Sequence, residues 1–144
     1  MNTPALLKKY ASEGFLFHGS PRRFNTVEPR QGNDSSRVAG NHLAVYATND
    51  ERVALVAACI HPTNPNNWTR SHHREDGGTL QVGGENICLG SGYIYILPPD
   101  TFQHVCPEDE NEFVSFVSVN PFTIIEVTPS LLKELDILIP ASLL

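Results

Sequence analysis

The hydrophobic and polar positions of the first twenty residues predict a helix followed by a strand. Apolar residues recur at helical spacing over 3–12, where Thr3 suits an N-cap. Gly14 is placed to end this helix, as a glycine after the last turn commonly does. Residues 15–18 form a short apolar run that predicts a strand, which Gly-Ser-Pro at 19–21 is expected to break.

A second strand and helix are predicted after a polar stretch. Residues 25–42 are dense in Gly, Asn, Asp and Ser, so they predict a loop. The apolar run 43–47 predicts a strand. The letters T-N-D-E then suggest a capping box, in which Thr48 and Glu51 satisfy the first amides of a largely apolar helix over 50–60.

The second half of the chain carries strand patterns separated by turn residues. Residues 61–92 hold six glycines and predict the least regular part of the molecule. The predicted strands are 79–82, 85–89, 93–97, 103–106, 112–119 and 122–127, the last two as a hairpin, and 130–135 is a predicted helical turn. Mostly strands with two or three helices indicate an α+β arrangement.

Length, charge and cysteine content narrow the class of protein. The 144 residues suit one domain over 1–144, and 40% hydrophobic residues suit a globular core. A net charge of −6 disfavours tight non-specific binding to nucleic acid. Three widely spaced cysteines predict neither a disulfide framework nor a metal knuckle, and reduced thiols favour a cytoplasmic location. Neither a signal peptide nor an apolar stretch of membrane-spanning length is found, so no membrane partner is expected.

Three short segments contain the candidate chemistry. His18 ends the first predicted strand in L-F-H-G-S, and Tyr46 ends the second in V-Y-A-T-N-D, directly before a helix. Glu112 opens a late strand in N-E-F-V-S-F. Each residue alone has an ordinary explanation: a turn histidine, a packed tyrosine, a solvated loop carboxylate. Their joint order, at three strand ends with a helix after the second, is the informative feature.

This order resembles the His–Tyr–Glu signature of the ADP-ribosyltransferase superfamily, in the branch of diphtheria toxin and the poly(ADP-ribose) polymerases. The resemblance covers residues 15–59 and 93–127. It implies the ADP-ribosyltransferase-like fold, in which small antiparallel sheets surround a cleft with flanking helices. It also implies NAD as co-substrate, no metal, cleavage of the nicotinamide–ribose bond and transfer of ADP-ribose to an acceptor. The acidic composition favours a protein acceptor over nucleic acid.

The resemblance assigns roles to residues at the matching positions. His18 would bind the adenosine ribose and the Gly19 backbone would hold the nicotinamide carboxamide, with Ser20 completing the segment. Tyr46 would stack on the nicotinamide ring. Glu112 would be the catalytic carboxylate, because a fixed negative charge stabilises the positive charge that develops on the ribose.

The diphosphate of NAD would need cationic partners, and arginine suits bidentate phosphate contacts. Arg22, Arg23 and Arg30 are the candidates near the first segment, with Arg22 taken as the cofactor-binding one.

The sequence departs from the polymerase-type pattern in the helix after Tyr46. Those members carry a serine and a second stacking tyrosine there, whereas residues 52–59 are almost purely apolar. Tyr93 and Tyr95 are candidates for the second stacking wall, although core packing explains at least one of them.

Two alternatives stay open. One is a non-catalytic module on the same scaffold that binds NAD or ADP-ribose. The other is an RNA 2′-phosphotransferase-like enzyme, whose second histidine and arginine would correspond to His42 and Arg37. That enzyme would also want a late-strand arginine, but no arginine follows Arg74.

Two further features have ordinary interpretations. His72 and His73, with Glu75 and Asp76, are interpreted as part of a solvated loop and not as a metal site. Trp68 is either a loop anchor or a partner contact.

Overall fold

A computed structural model of the chain describes residues 1–31 and 42–144. The helices are α1 (Thr3–Ser12), α2 (Glu51–Cys59) and α3 (Ser130–Glu134), and a 3-10 helix spans Ala141–Leu143. The strands are β1 (Leu16–Ser20), β2 (Arg30–Gln31), β3 (Leu43–Thr48), β4 (Ile60–Pro62), β5 (Thr69–Arg74), β6 (Leu80–Glu85), β7 (Ile87–Leu89), β8 (Gly92–Leu97), β9 (Glu112–Ser115), β10 (Thr123–Val127) and β11 (Ile137–Leu138). The α+β class predicted from the sequence is confirmed.

The described strands form one larger sheet and two small ones. The larger sheet has the order β10-β8-β1-β3-β2, and β9 also pairs with β3. The second sheet has the order β11-β6-β5, and the third pairs β4 with β7. All pairs are antiparallel except β11 with β6.

Strand β1 pairs over its whole length with one neighbouring strand but at a single position with the other. Against β8 it is in register over its whole length, from Leu16 opposite Leu97 to Ser20 opposite Tyr93. Against β3 the register holds at one row only, with Phe17 opposite Thr48. The two strands therefore diverge beyond Phe17, and this divergence opens a wedge in the sheet.

Helix α2 lies unusually close to the sheet because two glycines face it. A Cβ atom added to Gly19 would stand 1.9 Å from the carbonyl oxygen of Ala54, and one added to Gly92 would stand 2.0 Å from that of Ala58. The two alanines are four residues apart and so share one helix face. Small residues on both sides of this contact allow the backbones to approach.

The core is divided between the two faces of the larger sheet. Residues alternate between faces along a strand, and β8 follows this rule. Ile94 and Ile96 pack into the cluster that contains α2, whereas Tyr95 and Leu97 pack into a second cluster on the opposite face. None of the helices within 1–31 and 42–144 has the length and apolar character needed to cross a membrane.

Both predicted helix caps were one or two residues out of place. The N-cap of α1 is Asn2, whose side chain accepts from the Ala5 amide at 2.9 Å, and not Thr3. The N-cap of α2 is Asp50, which accepts from the Arg52 amide at 3.0 Å. Thr48 instead accepts from the Asp50 amide, so the predicted capping box is wrong. In both cases another side chain that can accept from the backbone stands within two residues of the predicted one.

Several predicted strand boundaries and pairings are also corrected. Gly19 and Ser20 continue β1 and do not break it. Part of the predicted loop 25–42 forms β2, while 32–41 lie outside the described residues. The region 61–92 contains strands β4 to β7, including a hairpin of β5 and β6 that the glycines had obscured.

The predicted hairpin of the late strands does not form. β9 ends at Ser115 and pairs with β3, whereas β10 pairs with β8. Residues 103–106 contribute one isolated bridge, Gln103 with Val114, and not a strand. Long-range pairing thus overrode the local turn signal at Asn120–Pro121.

Candidate functional site

The sequence-predicted chemical residues meet in one cleft of about 330 Å³. It lies where β1 and β3 diverge, beside α2 and the start of β9. The residues that line it are Phe17, His18, Gly19, Tyr46, Ala47, Thr48, Val53, Ala54, Ala57, Arg70, His72, Asp109 and Glu112. His18, Tyr46 and Glu112 therefore share a cleft, as do the backbone of Gly19 and the first turns of α2.

His18 is held in one orientation by the backbone of the neighbouring strand. Its Nδ1 lies 2.6 Å from the carbonyl oxygen of Tyr46, and a carbonyl only accepts, so Nδ1 carries the proton. Burial lowers the pKa of His18, the Tyr46 carbonyl acts in the opposite direction, and the charge of Arg30 lowers it further. The ring is thus neutral at pH 7, and its Nε2 is the nitrogen that accepts a hydrogen bond.

An aromatic cluster forms the support behind His18. The rings of Phe24 and Tyr95 stack at 4.8 Å with an interplanar angle of 8°, and the His18 ring lies 5.9 Å from that of Tyr95. The Tyr95 hydroxyl donates to the Arg22 carbonyl at 2.7 Å and accepts from the Phe24 amide at 2.9 Å. Tyr95 is fully buried, so it is a structural residue and not the second stacking wall considered above.

The side chain of Tyr46 is fixed through its hydroxyl, which makes two hydrogen bonds to the backbone of one residue. Its hydroxyl donates to the His42 carbonyl at 2.9 Å and accepts from the His42 amide at 2.8 Å. The imidazole of His42 itself packs edge-on against Phe116. Tyr46 is half-buried and lines the cleft. Its ring is therefore a rigid aromatic surface that loses little further conformational entropy when a ligand binds.

The register of β3 and β9 places Glu112 beside Tyr46. Thr48 is opposite Glu112, and Tyr46 lies two residues before Thr48, so all three side chains belong to one face of the sheet. Diagonal neighbours of this kind are about 7–8 Å apart between Cα atoms. Glu112 is half-buried, with its Oε2 out of contact with solvent, and it is one of the residues that line the cleft.

A tight turn fixes the start of β9. The Asp109 side chain accepts from the Asn111 amide at 2.9 Å, and the Asp109 carbonyl accepts from the Glu112 amide at 3.3 Å. The Asn111 carbonyl accepts from the Asn49 amide at 3.1 Å, which ties the turn to the end of β3. The position of Glu112 is therefore set by its own turn and by β3.

Strand β5 contributes cleft residues that the sequence reasoning had assigned to a solvated loop. Arg70 and His72 line the cleft, two residues apart on one face of the strand. The guanidinium of Arg70 donates to the Ile60 carbonyl at 2.8 Å and lies over the Trp68 ring, 5.3 Å from its centroid. Trp68 thus anchors Arg70, which favours the loop-anchor interpretation of this tryptophan.

The signal for β5 was present but weak. The segment T-R-S-H-H-R alternates Arg70, His72 and Arg74 with Ser71 and His73, which is the period of a strand. Because most of these side chains are exposed, no apolar alternation accompanies the pattern. Asp109 was also missed, since it stands in an acidic run that predicts a solvated loop.

The remaining predicted cofactor residues lie outside the cleft lining. The Ser20 hydroxyl accepts from the Arg22 amide at 3.1 Å, and the side chain of Arg22 is exposed. Arg23 is exposed as well, and its guanidinium donates to Asn25. Arg30 lies over the Phe24 ring at 5.5 Å and is close enough to influence His18, so it is the nearest of the three arginines in electrostatic terms.

A larger, open cavity of about 650 Å³ lies at the start of α2. Its titratable lining residues are Lys8, Asp50, Glu51, Arg52, Glu134 and Asp136. Carboxylates outnumber cations there, which disfavours an anionic ligand such as a diphosphate. None of the predicted site residues lines this cavity, so the smaller cleft is the candidate site.

The other histidine of β5, His73, is not among the residues that line the cleft. His73 pairs with Glu75 at 2.8 Å on the exposed side of β5. Within the described ranges, no group of three or more His, Cys, Asp or Glu side chains is arranged to hold a metal ion. Arg37, considered for the phosphotransferase alternative, lies outside the described residues.

Comparison with known proteins adds no assignment to this geometry. No protein-family model matches the chain, and neither the curated proteins nor the solved structures that were compared with it give a match.

Proposed function

We propose that this chain is an NAD-dependent ADP-ribosyltransferase with the fold of that superfamily, built as one domain. The observation that supports the proposal most directly is the shared cleft of His18, Tyr46 and Glu112. These residues come from three separate strands, and their order along the chain is the feature that resembles the superfamily signature.

The cleft suits the nicotinamide end of NAD. Its volume of about 330 Å³ is at the lower end of the range for ligand pockets, so we assign it to the nicotinamide end and not to the whole dinucleotide. Tyr46 supplies a rigid aromatic surface, and β1 presents an open backbone edge beyond Phe17. A backbone edge of this kind can pair with a carboxamide, which both donates and accepts.

Glu112 is the residue that this proposal assigns to the ribose. Cleavage of the bond between nicotinamide and ribose leaves positive charge on the sugar, and a fixed carboxylate stabilises that charge more than it stabilises the bound starting state. Because the turn at Asp109 and the pairing with β3 fix its backbone, the side chain need not be reorganised when the charge develops.

The glycine of the first segment has a second explanation. The resemblance assigns the Gly19 backbone to the nicotinamide carboxamide, but the Cβ direction of Gly19 points at the Ala54 carbonyl. Packing against α2 is therefore sufficient to require glycine here. The proposal depends on the backbone edge of β1 and not on the absence of a side chain at position 19.

The test is release of nicotinamide from NAD, followed by chromatography, together with calorimetric titration of NAD. We expect Glu112→Gln to lower the rate of release about 10²–10³-fold while the circular dichroism spectrum and NAD binding are kept. Glu110→Gln is the matched control, because Glu110 is exposed and outside the cleft lining. Equal rates for parent and Glu112→Gln would contradict the role of the carboxylate.

Calorimetry separates the enzyme from a binding module. NAD binding without nicotinamide release by the parent would favour a non-catalytic module that binds NAD or ADP-ribose. Absence of both binding and release would remove NAD from the proposal altogether.

A further inference from the structure

Strand β5 places an imidazole in the cleft that the proposed reaction does not yet use. We propose that His72 is the base on the acceptor side of this cleft, taking the proton of an incoming hydroxyl group while Glu112 holds the donor ribose. This inference rests on the proposed transferase function and adds a residue and an acceptor chemistry to it.

The hairpin of β5 and β6 determines which histidine faces the cleft. His72 is opposite Val82 and Arg74 is opposite Leu80, and paired residues in an antiparallel ladder share one face. Val82 and Leu80 are buried in the core, so His72 is on the inward face. His73 is opposite the exposed Gln81, and its ring pairs with Glu75.

The exposure of His72 suits a group that meets an acceptor from solution. The residue lines the same cleft as Glu112 but stays exposed, whereas His18 is held inside by the backbone of β3. His72 therefore borders both the cleft and solvent, where an acceptor hydroxyl would arrive.

The surroundings keep His72 in the form that can accept a proton. Partial burial lowers the pKa of His72 from 6.5, Arg74 and Arg70 lower it further, and Asp109 and Asp50 act in the opposite direction. The charged and titratable groups near it are Arg70 and Arg74 on its own strand, Asp50 at the start of α2, Asp109 in the turn before β9, and Glu112 and His18 in the cleft. The neutral imidazole therefore predominates at pH 7.

The step balances with water as the simplest acceptor. The water oxygen forms a bond to C1′ of the ribose, and the bond from C1′ to the nicotinamide nitrogen breaks with its electron pair. Nicotinamide then leaves as a neutral molecule. The proton of water passes to His72, which later returns it to solvent, so one proton is released for each NAD cleaved.

The experiment measures nicotinamide release from NAD in water for the parent, His72→Gln and His73→Gln between pH 5 and 8. We expect about a 10²-fold loss at pH 7 for His72→Gln, the lower end for a general base, and an unchanged rate for His73→Gln. In the parent and in His73→Gln, we expect the rate to fall at acidic pH, where His72 becomes protonated; its pKa is lowered from the ordinary 6.5. This acid limb is absent in His72→Gln. A second variant, His72→Ala, is expected to regain turnover with added imidazole, whereas His73→Ala shows no such response.

The outcomes separate the two proposals. If the parent releases nicotinamide and His72→Gln matches it at every pH, the role of His72 is wrong and the transferase proposal stands. If His72→Gln is slow but imidazole does not restore His72→Ala, the residue is structural and the inference also fails. If the parent releases no nicotinamide, the proposed function fails and the role of His72 fails with it.

Discussion

Replacing Gly19 by alanine tests whether helix packing alone requires this glycine. The added Cβ would meet the Ala54 carbonyl oxygen at 1.9 Å, whereas real Cβ contacts are essentially never shorter than 3.0 Å. The obstacle is backbone and cannot rotate away, so β1 and α2 would have to separate by about 1 Å. Overpacking of this kind typically lowers the free energy of unfolding by about 1–3 kcal/mol. Because the partner is rigid backbone, we expect a loss of about 3 kcal/mol. For a domain of this size that corresponds to a loss of roughly 6–12 °C in Tm.

Urea denaturation followed by circular dichroism measures this cost. Gly83→Ala is the matched control, because its added Cβ would meet only the Ser71 side chain at 3.4 Å, an ordinary contact. We expect the control to stay within about 1 kcal/mol of the parent, since alanine is preferred to glycine within a strand. If Gly19→Ala were as stable as the control, the close packing of α2 on β1 would be refuted.

Two further predictions concern titration and reactivity. Burial acts to raise the pKa of Asp50, but hydrogen bonds and charge from Arg52 and Arg74 outweigh burial and lower the pKa below 3.8. The ionised carboxylate therefore stabilises the fold above about pH 4, and this stabilisation is lost as the pH falls through the pKa of the folded state. The variant Asp50→Asn keeps a good N-cap residue but loses the charge. Urea titrations should show that it loses about 1–2 kcal/mol of unfolding free energy at pH 7 and less below pH 4. The same loss at every pH would contradict the assignment. Burial raises the pKa of the Cys59 thiol to about 12. A thiol reagent at pH 8 should therefore label the half-buried Cys88 first, and Cys59 only after denaturant is added. Early labelling of Cys59 would show that the packing of α2 on the sheet opens readily.

The main strands and helices could be predicted because their apolar pattern is local. The helix predicted over 50–60 is α2, and the strands predicted over 43–47 and 93–97 are β3 and β8. Nearly every position of β3 and β8 is shielded from solvent, and most of α2 is buried, so a short continuous apolar run marks each of these elements in the sequence.

The pairing of the late strands could not be predicted in the same way. Residues 112–119 and 122–127 looked like a hairpin because Asn120–Pro121 stands between them. β9 and β10 instead pair with two different strands, β3 and β8. These partners lie far away in the chain, and a local turn pattern contains no information about them.

The candidate site was predictable only in part, for a related reason. His18, Tyr46 and Glu112 carry a recognisable order along the chain, and the structure brings them to one cleft. Arg70 and His72 share that cleft, but they stand on an exposed strand whose polar alternation resembles a loop. Exposed polar strands lack the burial pattern on which sequence reasoning depends.

The apolar face of α2, which departs from the polymerase-type pattern, follows from the way the cleft is built. Gly19 and Gly92 bring the sheet against the backbone of Ala54 and Ala58, and both alanines are buried at this contact. Of the α2 residues that line the cleft, Val53 and Ala57 are the half-buried ones, so a second stacking side chain on this helix would have to stand there.

Neither Val53 nor Ala57 carries an aromatic ring. In this chain β5 supplies further lining instead, with the guanidinium of Arg70 and the imidazole of His72. Under the proposed function, a cleft completed by cationic and titratable groups would hold the nicotinamide ring less tightly than one with a second aromatic wall, and it would engage a polar acceptor. Substrate preference in this chain is therefore expected to depend more on the acceptor side of the cleft than on ring stacking.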